Sequence, residues 1–158
     1  MATRDADLRR VERLPGPWRD VIAAATQARE RAYAPYSRFA VGAAVLTAQG
    51  HVITGCNIEN ASLGLTVCAE RVAIWKAVSQ GETEFQALAV VTDVGATPCG
   101  ACRQVMAEFA GDLDVLVANL TGDVWVLSQG DLLPHSFPQE SLQTLLESVG
   151  GSADDSGR

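Results

Sequence analysis

Three cysteines and one glutamate give this sequence its clearest chemical signal. Cys99 and Cys102 follow Pro98 at a three-residue spacing, and Cys68 lies about thirty residues earlier, with Glu70 two positions after it. Proline suits the first turn of a helix, and residues three apart lie on one helix face, so both thiols would point the same way. If a second helix start brings Cys68 alongside, three thiolates converge where helix N-termini favour them. Three protein ligands leave the fourth tetrahedral position of a zinc ion open, as in catalytic zinc sites.

Glu70 is placed to face that open position. A carboxylate there takes a proton from water at the metal and delivers it to a leaving group. We find no fourth cysteine or histidine at a metal-binding spacing, as a closed structural site would need. The pattern therefore favours a catalytic zinc centre over a structural one.

Each of these residues has a simpler explanation when it is taken alone. A CxxC pair at a helix start also describes a redox pair or two buried thiols. Cys68 alone suits a small core position, and Glu70 alone suits an acid that complements the helix dipole. Cys56 ends a predicted strand without a metal-spaced companion, so we assign it as a structural thiol. The joint pattern is what favours zinc.

The composition describes one globular domain. The chain has 158 residues, of which 47% are hydrophobic and 20% are charged, which is ordinary for a folded domain of this length. The net charge of −7 argues against a partner bound through phosphate neutralisation, such as DNA or RNA. No stretch approaches the ~20 apolar residues of a membrane-spanning helix.

The first sixteen residues contain no apolar stretch of signal-peptide length, so we expect a cytoplasmic protein. In a reducing compartment, the four cysteines are more commonly metal ligands, catalytic groups or buried thiols than disulfides.

Hydrophobic periodicity and turn residues predict alternating helices and strands. A helix over 18–32 should stop before Pro35, and Ala48-Gln49-Gly50 should join two strands in a hairpin. The unbroken apolar run at 86–92 is typical of a buried central strand. The predicted helices are 18–32, 69–80, 98–109 and 139–148, and the predicted strands are 40–47, 51–56, 86–92, 115–120 and 124–127.

This element order predicts an α/β fold: a three-layer α/β/α sandwich around a mixed five-stranded sheet. We expect residues 1–14 to form a loose N-terminus, 15–148 to form a single domain, and the small, polar tail 149–158 to be disordered.

The motifs around the cysteines resemble those of the small cytidine deaminases of the three-cysteine, zinc-dependent type, whose general signature ends in P-C-x-x-C. The resemblance runs in order over roughly residues 15–145. Its motifs are YSRFAVGAA at 36–44, GCNIENAS at 55–62, CAER at 68–71, PCGACRQV at 98–105 and LLPHSF at 132–137. It implies a cytidine deaminase-like fold and hydrolytic deamination of cytidine and 2′-deoxycytidine in pyrimidine salvage.

The resemblance also implies a role for each matching residue. One Zn²⁺ per chain would be held by the three cysteines, with Glu70 as the catalytic proton shuttle. The substrate-binding residues would be Phe39 against the pyrimidine, Asn57 and Glu59 on the ribose hydroxyls, Ala69 through its backbone, and Ala61, Leu63 and Phe137. Arg71 and Arg103 would lie beside the thiolates. The family further implies a homotetramer with sites shared between subunits.

The chain departs from the family at two places. Leu63 stands where the family commonly has tyrosine, and the segment from Asp93 to Pro98 is shorter than in some relatives. Two alternatives stay open: a deaminase of a modified or antibiotic nucleoside, of the blasticidin type, and a non-enzymatic structural zinc or redox protein. The Asn57 and Glu59 pair favours a plain nucleoside over the former, and Glu70 with the missing fourth ligand counts against the latter.

Overall fold

The computed structural model describes residues 7–109 and 113–137, together with Thr144, Leu146 and Glu147. Within these residues, no helix has both the length and the apolar character needed to cross a membrane.

The centre of the fold is a mixed sheet of six strands in the order β1-β6-β5-β4-β2-β3. Only β4 and β5 pair in parallel, and every other neighbouring pair is antiparallel. The strands are β1 (Asp7–Arg10), β2 (Gly42–Thr47), β3 (Val52–Cys56), β4 (Phe85–Val91), β5 (Asp114–Ala118) and β6 (Asp123–Ser128).

Over residues 7–137, four α-helices are described: α1 (Gly16–Arg29), α2 (Ala69–Ser79), α3 (Gly100–Phe109) and the short α4 (Gln129–Leu132). Single 3₁₀ turns lie at Val11–Arg13 and Leu63–Leu65.

Helices cover both faces of the sheet, so the core has two halves. In β4, Leu88 and Val90 pack with α2 and α3, whereas Ala87, Ala89 and Val91 pack with α1. Successive strand residues point to opposite faces, which is why a continuous apolar run is needed in a strand that is covered on both sides. The predicted three-layer α/β/α arrangement is confirmed.

A close approach between β3 and the start of α2 places the first cysteine. A Cβ on Gly55 would lie 2.5 Å from the carbonyl oxygen of Ala69. Only glycine allows the helix start, with Cys68 before it, to lie this near the strand.

The prediction of five strands was wrong by one, because Asp7–Arg10 forms β1 inside the segment expected to be a loose N-terminus. β1 pairs with β6, and Arg10 donates a 2.8 Å hydrogen bond to Asp123. All four of its residues are exposed, so it lacks the alternating pattern by which a half-buried strand is recognised.

Of the predicted helix 139–148, Thr144, Leu146 and Glu147 are helical. The rest of that helix and the tail 149–158 lie outside the described residues.

Candidate zinc and substrate site

Two helix starts bring the three cysteines together. Cys68 is the N-cap residue of α2, and Cys99 directly precedes α3, where its carbonyl oxygen accepts a hydrogen bond from Arg103 N. Cys102 lies in the first turn of α3 and is fully buried. Helix N-termini carry partial positive charge, so all three sulfurs lie where thiolates are stabilised.

The spacing of the sulfurs fits a zinc ion. Cys68 Sγ is 3.8 Å from Cys99 Sγ, which is 3.5 Å from Cys102 Sγ, and all three ligand atoms lie within 4.8 Å of one another. Zn–S bonds of about 2.3 Å at tetrahedral angles place sulfurs ~3.8 Å apart. All four cysteines are free thiols. Among the described residues, the cluster contains three thiols and no fourth ligand, which matches a catalytic zinc site with one open position.

Arg71 lies beside the thiols, as predicted. Its Nη2 is 3.6 Å from Cys68 Sγ, and its guanidinium lies over the Trp75 ring. The pKa of the Cys68 thiol is lowered to about 5, first by a hydrogen bond with Cys102 and then by Arg71 and Cys99, against the opposing effect of burial. The same hydrogen bond with Cys68 raises the pKa of the Cys102 thiol. The cluster therefore favours a thiolate before any metal binds.

Glu70 is buried in the first turn of α2, with 4% of its surface exposed. Burial is the largest cause of a raised pKa for its carboxyl group, and the nearby Cys68 adds to it. A raised pKa makes a carboxyl group a better proton acceptor than it is in water. Glu70 is thus suited to proton transfer.

A cavity of about 300 Å³ opens onto this centre. Its walls carry Phe39, Asn57, Glu59, Cys68, Glu70 and Cys99 from the predicted site, and also Ser37, Val41, Thr66, Val90, Thr92, Ala96 and Thr97. A wider groove of about 750 Å³ lies beside α1 and carries none of the three cysteines. The chemistry therefore belongs to the smaller cavity.

Asn57 holds the segment that carries Phe39. Its Oδ1 accepts from Val41 N at 2.8 Å, and its Nδ2 donates to Phe39 O at 2.8 Å. Asn57 is buried, so its amide is a structural support as well as a lining group.

Glu59 is bound to the turn before Phe39. Its carboxylate accepts hydrogen bonds from Tyr36 N at 2.8 Å and from the Ser37 hydroxyl and backbone N–H. The Ser37 hydroxyl is the main cause of the lowered pKa of the Glu59 carboxyl group. The carboxylate is therefore ionised and held at the cavity edge.

Four predicted substrate-binding residues do not line this cavity within one chain. Ala61, Leu63 and Phe137 are exposed, and Ala69 is buried behind Cys68. The backbone of Phe137 is held by Gln104, which accepts from Phe137 N and donates to Phe137 O, each at 3.1 Å.

Arg103 is bound to the loop that carries Cys99, and its predicted place beside the thiolates stays a prediction. Its guanidinium donates to Pro98 O at 2.8 Å and to Leu132 O at 2.9 Å, with a longer contact to Thr97 Oγ1 at 3.4 Å. These acceptors are two backbone carbonyls and a hydroxyl, so Arg103 joins the loop before Cys99 to the end of α4.

The sequence reasoning missed Thr92, Ala96 and Thr97 as lining residues. They follow the carboxyl end of β4, next to its parallel neighbour β5. Ligands commonly bind beyond the carboxyl ends of parallel strands, so the strand order would have pointed to them.

Comparison with known proteins agrees with this geometry. A family model described as the cytidine and deoxycytidylate deaminase zinc-binding region matches residues 18–118. A cytidine deaminase from Halalkalibacterium halodurans is 54% identical over 125 residues, which cover 77% of this chain and 95% of the relative. The crystal structure of a cytidine deaminase from Burkholderia pseudomallei has 53% identity and a TM-score of 0.73, over 75% of this chain and 97% of that chain.

A blasticidin-S deaminase from Bacillus cereus is also similar, with 32% identity over 107 residues, or 61% of this chain and 76% of the relative. The matched residues 18–118 include both helix starts and all three clustered cysteines. The chain therefore belongs to the cytidine and deoxycytidylate deaminase family.

Proposed function

We propose that this protein is a zinc-dependent cytidine deaminase, which hydrolyses cytidine and 2′-deoxycytidine to uridine and 2′-deoxyuridine and releases ammonia. The observation that carries the proposal is the buried Glu70 beside three thiols at one end of a 300 Å³ cavity. Cys68, Cys99 and Cys102 would hold the zinc ion, and the chemistry that it would supply is acidification of a water molecule at neutral pH.

Glu70 moves the proton through the reaction. It takes a proton from the water that attacks C4 of the base and passes it to ring N3. It then takes the second proton from the hydroxyl group now on C4 and delivers it to the leaving amine. Water adds, ammonia leaves, and the carboxylate is regenerated. The burial that raises the pKa of Glu70 supports this exchange, because both protonation states are needed in one turnover.

The cavity walls supply the substrate contacts. Phe39 packs against the pyrimidine, and Asn57 and Glu59 bind the ribose hydroxyls. The backbone next to Ala69 contacts the base edge. An amide and a carboxylate suit a diol, since together they offer donors and acceptors. The lining of the cavity by Phe39, Asn57 and Glu59 supports these roles.

We further propose a homotetramer in which Ala61, Leu63 and Phe137 serve a neighbouring subunit's site. Leu63 is 71% exposed and Phe137 is 59% exposed, although both are large and apolar. Exposed apolar residues of this kind often mark interfaces. The single domain, which begins with β1 at Asp7, would belong to a cytoplasmic enzyme of pyrimidine salvage.

Deamination of an antibiotic nucleoside is the second candidate, because a blasticidin-S deaminase is among the relatives. Cytidine, 2′-deoxycytidine, CMP and blasticidin S should therefore be incubated in parallel with zinc-loaded protein, and ultraviolet absorbance followed. We expect loss of the cytidine and deoxycytidine absorbance and formation of the uridines. Turnover of blasticidin S alone would replace the proposal with the second candidate.

A further inference from the structure

One wall of the cavity is a short loop without regular secondary structure. The wall segment, Thr92–Pro98, joins the end of β4 to the start of α3 and lines the cavity with Thr92, Ala96 and Thr97. It ends directly before Cys99, so its position affects both the cavity and the approach to the metal ligands.

The first half of the wall segment is fixed from inside the protein. The hydroxyl of the buried Thr92 accepts hydrogen bonds from Gly95 N at 2.9 Å and Ala96 N at 2.8 Å. Asp93 forms an ion pair with Arg29 of α1. Val94 forms an isolated bridge with Asn119, which follows β5.

The far end is fixed separately. Arg103 donates to Pro98 O at 2.8 Å, and Cys99 belongs to the thiol cluster. The middle of the segment, at Gly95 and Ala96, is held by Thr92 through two backbone N–H groups and also lies against a neighbouring side chain.

That neighbour is Trp125 of β6. A Cβ on Gly95 would lie 2.4 Å from Cζ3 of the Trp125 ring and 3.2 Å from Cε3, so the ring lies directly against the glycine. Gly95 also has φ +76°, a left-handed conformation that favours glycine. Trp125 is itself held between its strand partners Leu8 and Val117 and packs on the core beneath α2 and α3.

We propose that Trp125 is a positioning residue of the base pocket, whose ring fixes the wall segment through Gly95 and so sets how tightly the nucleoside is held. Trp125 does not line the cavity, so it would act through the lining residues Ala96 and Thr97, which follow Gly95. This inference rests on the proposed deamination of cytidine.

The test compares Trp125→Ala with Leu127→Ala. Leu127 is two residues along β6, on the same face, and packs on the same core, but it is not among the nearest neighbours of Gly95. Both variants should lower the thermal midpoint. Only Trp125→Ala should raise KM for cytidine, on the order of tenfold, while kcat and zinc content change little. Trp125→Phe should fall between wild type and Trp125→Ala, and serves if the alanine variant does not fold.

An unchanged KM in the Trp125 variants, or an equal rise in Leu127→Ala, would overturn the assignment. A rise in KM with unchanged zinc content separates positioning from general loss of structure.

A double-mutant cycle tests the contact itself. The methyl group of Gly95→Ala would overlap the Trp125 ring. The substitution should therefore impair binding of cytidine more in the wild-type background than in Trp125→Ala. The strain of a positive φ is the same in both backgrounds and cancels. Equal effects in both backgrounds would show that the two residues are not coupled.

The outcomes separate this inference from the proposed function. Turnover of cytidine by the wild type, with no effect of Trp125 on KM, would remove only the role of Trp125. If cytidine binds without reacting, the deaminase proposal fails and the same variants are compared by calorimetric Kd for cytidine. If cytidine neither binds nor reacts, both proposals fail.

Discussion

Glu70 owes its chemistry to where α2 begins. Its carboxyl group lies in the first turn, 4% exposed and beside Cys68, because Cys68 occupies the N-cap position. Burial raises the pKa of Glu70 and Arg71 lowers it, and burial is the larger effect. A raised pKa is the direction that general acid–base catalysis by a carboxyl group requires, which supports the role proposed for Glu70.

Replacing Glu70 with glutamine should keep the fold and the zinc but lower kcat by about 10²–10⁴-fold. Glutamine is nearly isosteric and cannot carry the proton. Steady-state kinetics together with zinc analysis of the variant check this. A Glu70→Gln protein with near-normal turnover would assign proton transfer to another group.

Asn57 and Glu59 should respond differently to substitution, although both are assigned to the ribose. Asn57→Ala leaves Val41 N and Phe39 O without their partner, at a cost of about 1–3 kcal/mol of stability, and should weaken substrate processing as well. Glu59→Gln keeps the shape and should mainly weaken processing of the nucleoside. Thermal midpoints and kcat/KM for cytidine measure the two effects.

Free cytosine serves as the matched substrate, since it lacks the ribose. We expect cytosine to be a poor substrate of the wild type, and we expect Glu59→Gln to change its rate of deamination little. Deamination of cytosine as fast as cytidine would rule out ribose recognition.

Residue types and spacing identified the cysteines, Glu70 and Arg71 because these lie within short helix-start motifs, where local sequence determines the geometry. The hydrogen bonds of Arg103 to Pro98 O and Leu132 O could not be predicted, because both acceptors are backbone atoms and one lies in a distant segment. Sequence patterns do not reveal which carbonyls remain available after folding.

Among the secondary-structure elements, the interior helices and strands were predictable because their apolar periodicity matches the two covered faces of the sheet. β1 was not, since its only partner is β6 and all of its residues are exposed. Its pairing is supported by Arg10 and Asp123, and the hydrogen bond from Arg10 is the largest cause of the lowered pKa of the Asp123 carboxyl group.

The contribution of Asp123 to stability should therefore depend on pH. A carboxyl group with a lowered pKa stabilises the fold above its unfolded value of 3.8, and this contribution disappears as the pH falls through the folded value. Asp123→Asn should be slightly less stable than wild type at pH 7, and the two should converge under acid conditions. Thermal midpoints of both proteins from pH 7 into the acid range test the assignment, and a difference that does not shrink as the pH falls would refute it.

At the scale of the whole molecule, one chain leaves the proposed site incomplete. Phe39, Asn57 and Glu59 line the cavity, whereas Leu63 and Phe137 remain exposed away from it. A neighbouring subunit that covers Leu63 and Phe137 would bury their apolar surface, and the same contact would close the cavity.

Mixed tetramers test this sharing of sites. Assemblies of Glu70→Gln chains alone should be nearly inactive, and assemblies of Phe137→Ala chains alone should have impaired activity. Mixed assemblies should exceed both, because some sites would combine an intact Glu70 with a neighbour's intact Phe137. Light scattering establishes assembly and differently tagged chains establish mixing. Proven mixing without recovery, or a fully active monomer, would contradict shared sites.

The central claim is that Cys68, Cys99 and Cys102 hold a zinc ion on which deamination depends. The most direct test is a titration of metal-free, reduced protein with zinc, in which bound metal and cytidine turnover are measured in the same samples. We predict no turnover without metal, and a rise in proportion to bound zinc that ends at one ion per chain. Full turnover in the metal-free protein, or one bound zinc per chain without turnover, would contradict the account.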